Sequence, residues 1–120
     1  MLFRSAAIVY IRANYVVNDF LKVAKKKPNT EIAQKIDYYV GLVQYKRDKK
    51  TEAFEAFNQL LKDYPTSYYA PQATYRKGLM YIDLKDWPKA KHALMDYQKQ
   101  WPEGPEIEKV NKRFERIRFK

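Results

Sequence analysis

"YYVGLVQYKRDKKTEAFEAFNQLLKDYP", residues 38–65, and "YRKGLMYIDLKDWPKAKHALMDYQKQWP", residues 75–102, are two versions of one string. They align without a gap at an offset of 37, which is 75 minus 38. Tyr38 meets Tyr75, Gly41 meets Gly78, Leu42 meets Leu79, Ala53 meets Ala90, Ala56 meets Ala93 and Pro65 meets Pro102. Phe57 faces Leu94 and Tyr64 faces Trp101, each pair alike in size and character. One further step back from Pro65 reaches Pro28, where Val16, Phe20 and Val23 occupy the apolar places of Ala53, Phe57 and Leu60. Self-similarity at this period is the mark of a repeat protein. The chain reads as a truncated first repeat (1–28), two full repeats (29–65 and 66–102) and a tail (103–120).

Each repeat divides into two helices. In the first full repeat Asn29 or Thr30 caps a helix running to about Lys46. Its apolar residues Ile32, Ile36, Tyr39, Val40 and Val43 recur at spacings of three and four and predict one buried face. "KRDKK" is a polar break, Thr51 is placed to cap the second helix, and Pro65 closes it. In the next repeat Pro71 and Pro88 stand where first-turn prolines are tolerated, and the first helix reaches about Leu84. Gly41 and Gly78 lack a side chain where paired helices approach. Ala53 and Ala90 are expected to receive that approach, with Phe57 and Leu94 filling the groove outside it.

Composition agrees with helix. Three glycines in 120 residues are too few for an all-β sandwich, which needs many tight turns. The absence of cysteine excludes disulfides, cysteine zinc sites and a thiol nucleophile within this chain. His92 is the single histidine, on a polar side of its helix, so neither a metal site nor a triad can be assembled from the usual residue types. No catalytic residue, metal or cofactor is expected. The net charge of +10 is spread, at +5 in residues 1–28, 0 in 29–65, +3 in 66–102 and +2 in 103–120. Such a charge attracts nucleic acid, anionic lipid or an acidic protein without choosing among them. No run approaches the roughly 20 apolar residues needed to span a bilayer. The opening "MLFRSAAIVYIRANY" has the flavour of a signal peptide, but Arg12 breaks the apolar run and no cleavage site follows, so it reads as a helix of the folded protein.

The pattern of glycine, tyrosine three residues on, alanine twelve on, an aromatic sixteen on and proline twenty-four on resembles the tetratricopeptide repeat. Gly41, Ala53, Phe57 and Pro65 match it, with Gln44 in place of the tyrosine. Gly78, Tyr81, Ala90 and Pro102 match it, with Leu94 in place of the aromatic. The tryptophan often found four residues before the glycine is replaced by Asp37 and Thr74. The linker wording "DYPTSYYAPQATYRKGLMY" is similar to that of the bacterial envelope subset of the family. That subset includes the lipoprotein of the outer-membrane β-barrel assembly machinery and the Tol-Pal-associated periplasmic repeat protein. The former is anchored through an N-terminal cysteine, so the resemblance implies either a trimmed chain or a soluble relative.

The resemblance implies an all-α, right-handed superhelix of helical hairpins, acting as a scaffold that grips a protein or peptide partner. It implies a periplasmic or outer-membrane-associated protein, or a cytoplasmic one if Met1 is the true start. In this fold the first helices of successive repeats line the binding groove. That assigns Lys35, Tyr38, Leu42 and Tyr45, and Gln72, Tyr75, Leu79 and Ile82, to partner binding. The alternative for the tyrosines is packing between helices. Tyr68 and Tyr69 are expected in the joint between repeats, leaving Tyr75 as the linker tyrosine with a claim to the groove. The tail, opened by Pro105 and Glu106, carries an apolar stripe of Ile107, Val110, Phe114 and Ile117 beside Lys109, Lys112, Arg113 and Arg116. It is expected to cap the last repeat, with membrane or partner contact as the alternative. If Met1 is the true start, the half-repeat there is expected to leave an apolar edge that a second copy could cover. Two other readings stand beside the scaffold: a basic helical module for nucleic acid or an acidic surface, and a self-assembling repeat subunit.

Overall fold

In a computed structural model of the chain, the structure describes residues 30–120 together with Asn18, Asp19, Lys22 and Lys26, which are helical and exposed. The expected half-repeat with Val16, Phe20 and Val23, the reading of the first residues as a helix, and the proposed self-pairing edge lie outside the described residues. Residues 30–120 form five helices and no strand. They are α1 (Glu31–Lys46), α2 (Lys50–Asp63), α3 (Ala70–Asp83), α4 (Trp87–Gln100) and α5 (Ile107–Ile117). The chain divides after Leu60 into two compact units.

In the first unit, Thr30 caps α1, its hydroxyl oxygen accepting from the Ala33 N–H at 3.1 Å. The buried face is Ala33, Ile36, Val40 and Gly41, joined by Tyr38. Ile32 and Tyr39, expected inside, are 61% and 43% exposed. The core stripe is therefore rotated by about one residue from the one periodicity suggested.

Gly41 has a specific reason. A Cβ there would lie 2.5 Å from Cε1 and 2.7 Å from Cζ of Phe57. Phe57, fully buried on α2, thus presses its ring directly on the glycine, and Tyr38 packs on the same ring with centroids 5.9 Å apart. This corrects the expectation that Phe57 fills space outside the close approach. In the second unit Leu94 stands over Gly78 in the same way, with Cδ2 2.8 Å from a Cβ built there.

The break between α1 and α2 is a Schellman turn. Asp48 adopts the left-handed conformation (φ 62), its N–H bonds to Tyr45 O at 3.0 Å, and Lys49 N–H reaches Gln44 O at 2.9 Å. The break between α3 and α4 repeats it. Lys85 has φ 56, Lys85 N–H bonds to Ile82 O and Asp86 N–H to Tyr81 O, both at 2.9 Å. After each turn the helix starts differently. Asp86 caps α4 by accepting from Lys89 N–H at 3.4 Å, whereas α2 already begins at Lys50. Thr51 therefore lies inside α2 and is not its cap, a correction to the sequence reading. Pro71 and Pro88 both fall in the first turns of their helices.

The second unit is built on Tyr75, Ala90, Leu94, Tyr97, Val110 and Ile117, with Ile107 and Phe114 packed against them. The apolar stripe of α5 thus faces the core, as expected of a cap. Full burial of Leu94 and Val110 contributes roughly 1.5–3 kcal/mol each. The helix starts at Ile107, slightly later than Pro105 and Glu106 suggested.

Candidate functional site

On α1, Lys35 is exposed and its Nζ lies 5.9 Å above the centre of the Tyr39 ring. Ile32, Lys35 and Tyr39 follow at spacings of three and four and so form one outward strip. Leu42 and Tyr45 are half-buried. Tyr38 is only 5% exposed and lies against Phe57. Its ring is a packing group, which corrects its assignment to an open groove. Ile32 and Tyr39 are what the periodic reading lost, because it spent them on the core. Exposed Lys35 in the same register was the available signal.

On α3, Gln72 is half-buried, Leu79 and Ile82 are half-buried against the second unit's core, and Tyr75 is inside that core at 9% exposure. Tyr75 is corrected likewise. Its side of α3 is engaged by core residues that include Val110 and Ile117 of α5. Tyr68, expected in a joint, is instead 73% exposed, standing edge-on to Tyr69 with centroids 5.3 Å apart. Of the linker tyrosines, Tyr68 is the open one.

A cavity of about 640 Å³ opens in the second unit among α3, α4 and the residues from Leu61 to Pro65. None of the residues assigned to partner binding from the sequence lines it. Its walls include the rings of Tyr81 and Trp101 and the prolines Pro65 and Pro88. Lys77, Lys89, His92 and Asp96 reach it as well. Lys89 is paired with Asp86 at 3.8 Å and lies 5.9 Å above the Tyr81 ring. His92, well exposed as expected, sits 3.4 Å from Asp96 across one helical turn. Lys77 is half-buried and makes no hydrogen bond or ion pair among the described residues. Burial pushes its ammonium below the ordinary lysine range, and the charge of Asp96 opposes that push.

A second local device joins α4 to α5. The Tyr97 hydroxyl donates to Glu106 Oε2 at 2.7 Å and accepts from the Glu106 N–H at 3.0 Å. Gly104 makes room for it, since a Cβ there would meet the Tyr97 hydroxyl. Burial, and then the hydrogen bond to the Glu106 carboxylate, raise the phenol to about 12. The first repeat has Leu60 at the matching position, so only the second repeat can make this latch.

Among the described residues no group of three or more metal-ligating side chains comes together, and no helix is long and apolar enough to cross a membrane. No curated protein matches the chain at a significant level. A family model described as tetratricopeptide repeat matches residues 37–67 and 72–104, more than half of the chain. Those spans contain both Gly41–Phe57 and Gly78–Leu94 contacts and both Schellman turns, so sequence match and geometry coincide. The chain belongs to the tetratricopeptide repeat family.

Proposed function

We propose that the protein is a non-catalytic scaffold that holds a protein or peptide partner within a bacterial cell-envelope complex, in the periplasm or at the outer membrane. Repeats of this family generally mediate protein–protein contact, and family members are typically non-catalytic. The observation that carries the reading for this chain is the outward strip of Ile32, Lys35 and Tyr39 on α1. A long apolar chain, a cation and an aromatic ring on one helical face suit a partner surface better than solvent. Of the residues assigned from sequence, Lys35, Leu42, Tyr45, Gln72, Leu79 and Ile82 remain at or near the surface as candidate contacts. The envelope setting is supported by the linker "DYPTSYYAPQATYRKG" alone.

The test is cross-linking of the full chain in an envelope fraction, with Tyr39→Ser and Lys35→Glu beside the parent. The expected result is one identified envelope protein that both variants lose and an α5 surface variant, Lys112→Gln, retains. The competing reading rests on the +10 charge and the exposed Lys109, Lys112, Arg113 and Arg116 of α5. Binding of duplex or single-stranded nucleic acid that weakens steeply with salt, with no protein captured, would favour it instead.

A further inference from the structure

We propose that the cavity between α3 and α4 is a binding site for an acidic side chain carried on a partner's peptide segment, with Lys77 as the group that receives the carboxylate. The inference rests on the scaffold reading above, but its site is separate from the α1 strip. Three observations carry it. The cavity, at about 640 Å³, falls in the roughly 300–1,000 Å³ range of ligand pockets. Its walls present flat apolar surface, from Tyr81, Trp101 and Pro88, on which the stem of a glutamate and a neighbouring apolar residue can rest. Its two lysines are unequally satisfied. Lys89 is neutralised by Asp86, and His92 faces Asp96. Lys77 is held out of full solvent with no hydrogen bond or ion pair of its own among the described residues.

A half-buried ammonium loses part of its hydration, and of the groups that can replace it a carboxylate does so most strongly. Asp96 supplies part of that compensation from across the cavity without reaching hydrogen-bond distance, since no bridge forms between them. A ligand carboxylate would therefore sit beside Lys77 and compete with the field of Asp96. That competition gives the proposal a signature of its own. Removing the lysine should abolish selectivity for the acid, and removing the Asp96 charge should strengthen it.

The experiment uses the full chain, isotope-labelled, and two peptides with blocked ends, acetyl-Ala-Pro-Glu-Phe-Ala-amide and its Gln counterpart. With both termini blocked, the glutamate side chain is the only carboxylate. The expected result is binding of the Glu peptide about tenfold tighter than the Gln peptide. Amide shifts should concentrate on Thr74, Lys77, Tyr81 and Asp96, with quenching of Trp101. Lys77→Met should equalise the two peptides while keeping the parent helical spectrum, and Lys77→Arg should keep the preference. Asp96→Asn should tighten the Glu peptide severalfold and leave the Gln peptide unchanged. Equal affinities in the parent, no binding of either peptide, or shifts centred on α1 or α5 would overturn the site. The scaffold reading fails separately, if the cross-linking yields no protein partner. A captured partner with indistinguishable peptides leaves the scaffold standing and removes this cavity from it.

Discussion

Replacing each repeat glycine by alanine asks how the same helix contact is made by two different side chains. At Gly41 the new Cβ would lie 2.5, 2.7 and 2.8 Å from three carbons of the Phe57 ring, where ordinary contact begins at 3.4 Å. The ring would have to retreat by about 0.9 Å, the difference between 3.4 and 2.5 Å. Phe57 is fully buried, and Tyr38 leans on it from the side, so it moves only with its neighbours. At Gly78 only Leu94 Cδ2, at 2.8 Å, is too close, and Cγ is already at 3.4 Å. A turn about the outer leucine torsion moves that methyl without moving a ring. Overpacking of a core costs roughly 1–3 kcal/mol, and alanine gains about 0.8–1 kcal/mol over glycine inside a helix. The balance for Gly41→Ala is a net loss of about 1–2 kcal/mol, and for Gly78→Ala a change within about 0.5 kcal/mol of zero.

Urea unfolding followed by far-UV circular dichroism, with amide exchange in α1 and α2, reads the first substitution. Trp87 and Trp101 are the only tryptophans and both lie in the second unit, so fluorescence reads the second. Phe57→Leu placed on Gly41→Ala should recover about 1 kcal/mol relative to additivity, because it copies the Gly78–Leu94 contact. Equal losses at the two glycines, or a stabilised Gly41→Ala protein, would refute the view that the ring contact decides the hairpin.

Other outcomes follow from the turns and the latch. Lys85→Gly should stabilise the protein by about 1 kcal/mol, since φ 56 strains a lysine but not a glycine. Asp48→Gly should gain less, because a short polar side chain tolerates φ 62 better, and thermal melts compare the two. Tyr97→Phe should cost about 1–2 kcal/mol near neutral pH by stranding the Glu106 N–H and carboxylate. Its pH dependence has a definite sign. The folded phenol titrates at about 12 against 10.0 ordinarily, so its contribution is complete below pH 10 and disappears as pH rises to about 12. The stability gap between parent and Tyr97→Phe should close across that window, and absorbance titration should show a late tyrosine in the parent that Tyr97→Phe lacks.

Much of this architecture was legible in the residues. The offset that superposes Gly41 on Gly78 and Pro65 on Pro102 predicts paired helices and their family, because backbone pairing needs the same small residues and the same stops in each copy. The stripe of Ile107, Val110, Phe114 and Ile117 predicts the cap, because a helix with one apolar face must bury it. The candidate site was read less well. Tyr38 and Tyr75 recur at the repeat offset, and that recurrence marked packing as readily as binding. Ile32 and Tyr39 keep the period of the core but fall just outside it, since periodicity fixes an angular stripe only to within about one residue.

By itself the sequence determined the repeat, the helices and their stops, all of which depend on local backbone preference and on spacing along one chain. Only the tertiary structure decided that Phe57 and Leu94 sit directly over the glycines. It also decided that Tyr97 closes on Glu106 and that Lys77 stands beside a cavity with no ion pair among the described residues. Each of these depends on which atoms of separate helices arrive at the same place, and spacing along the chain carries no such distance.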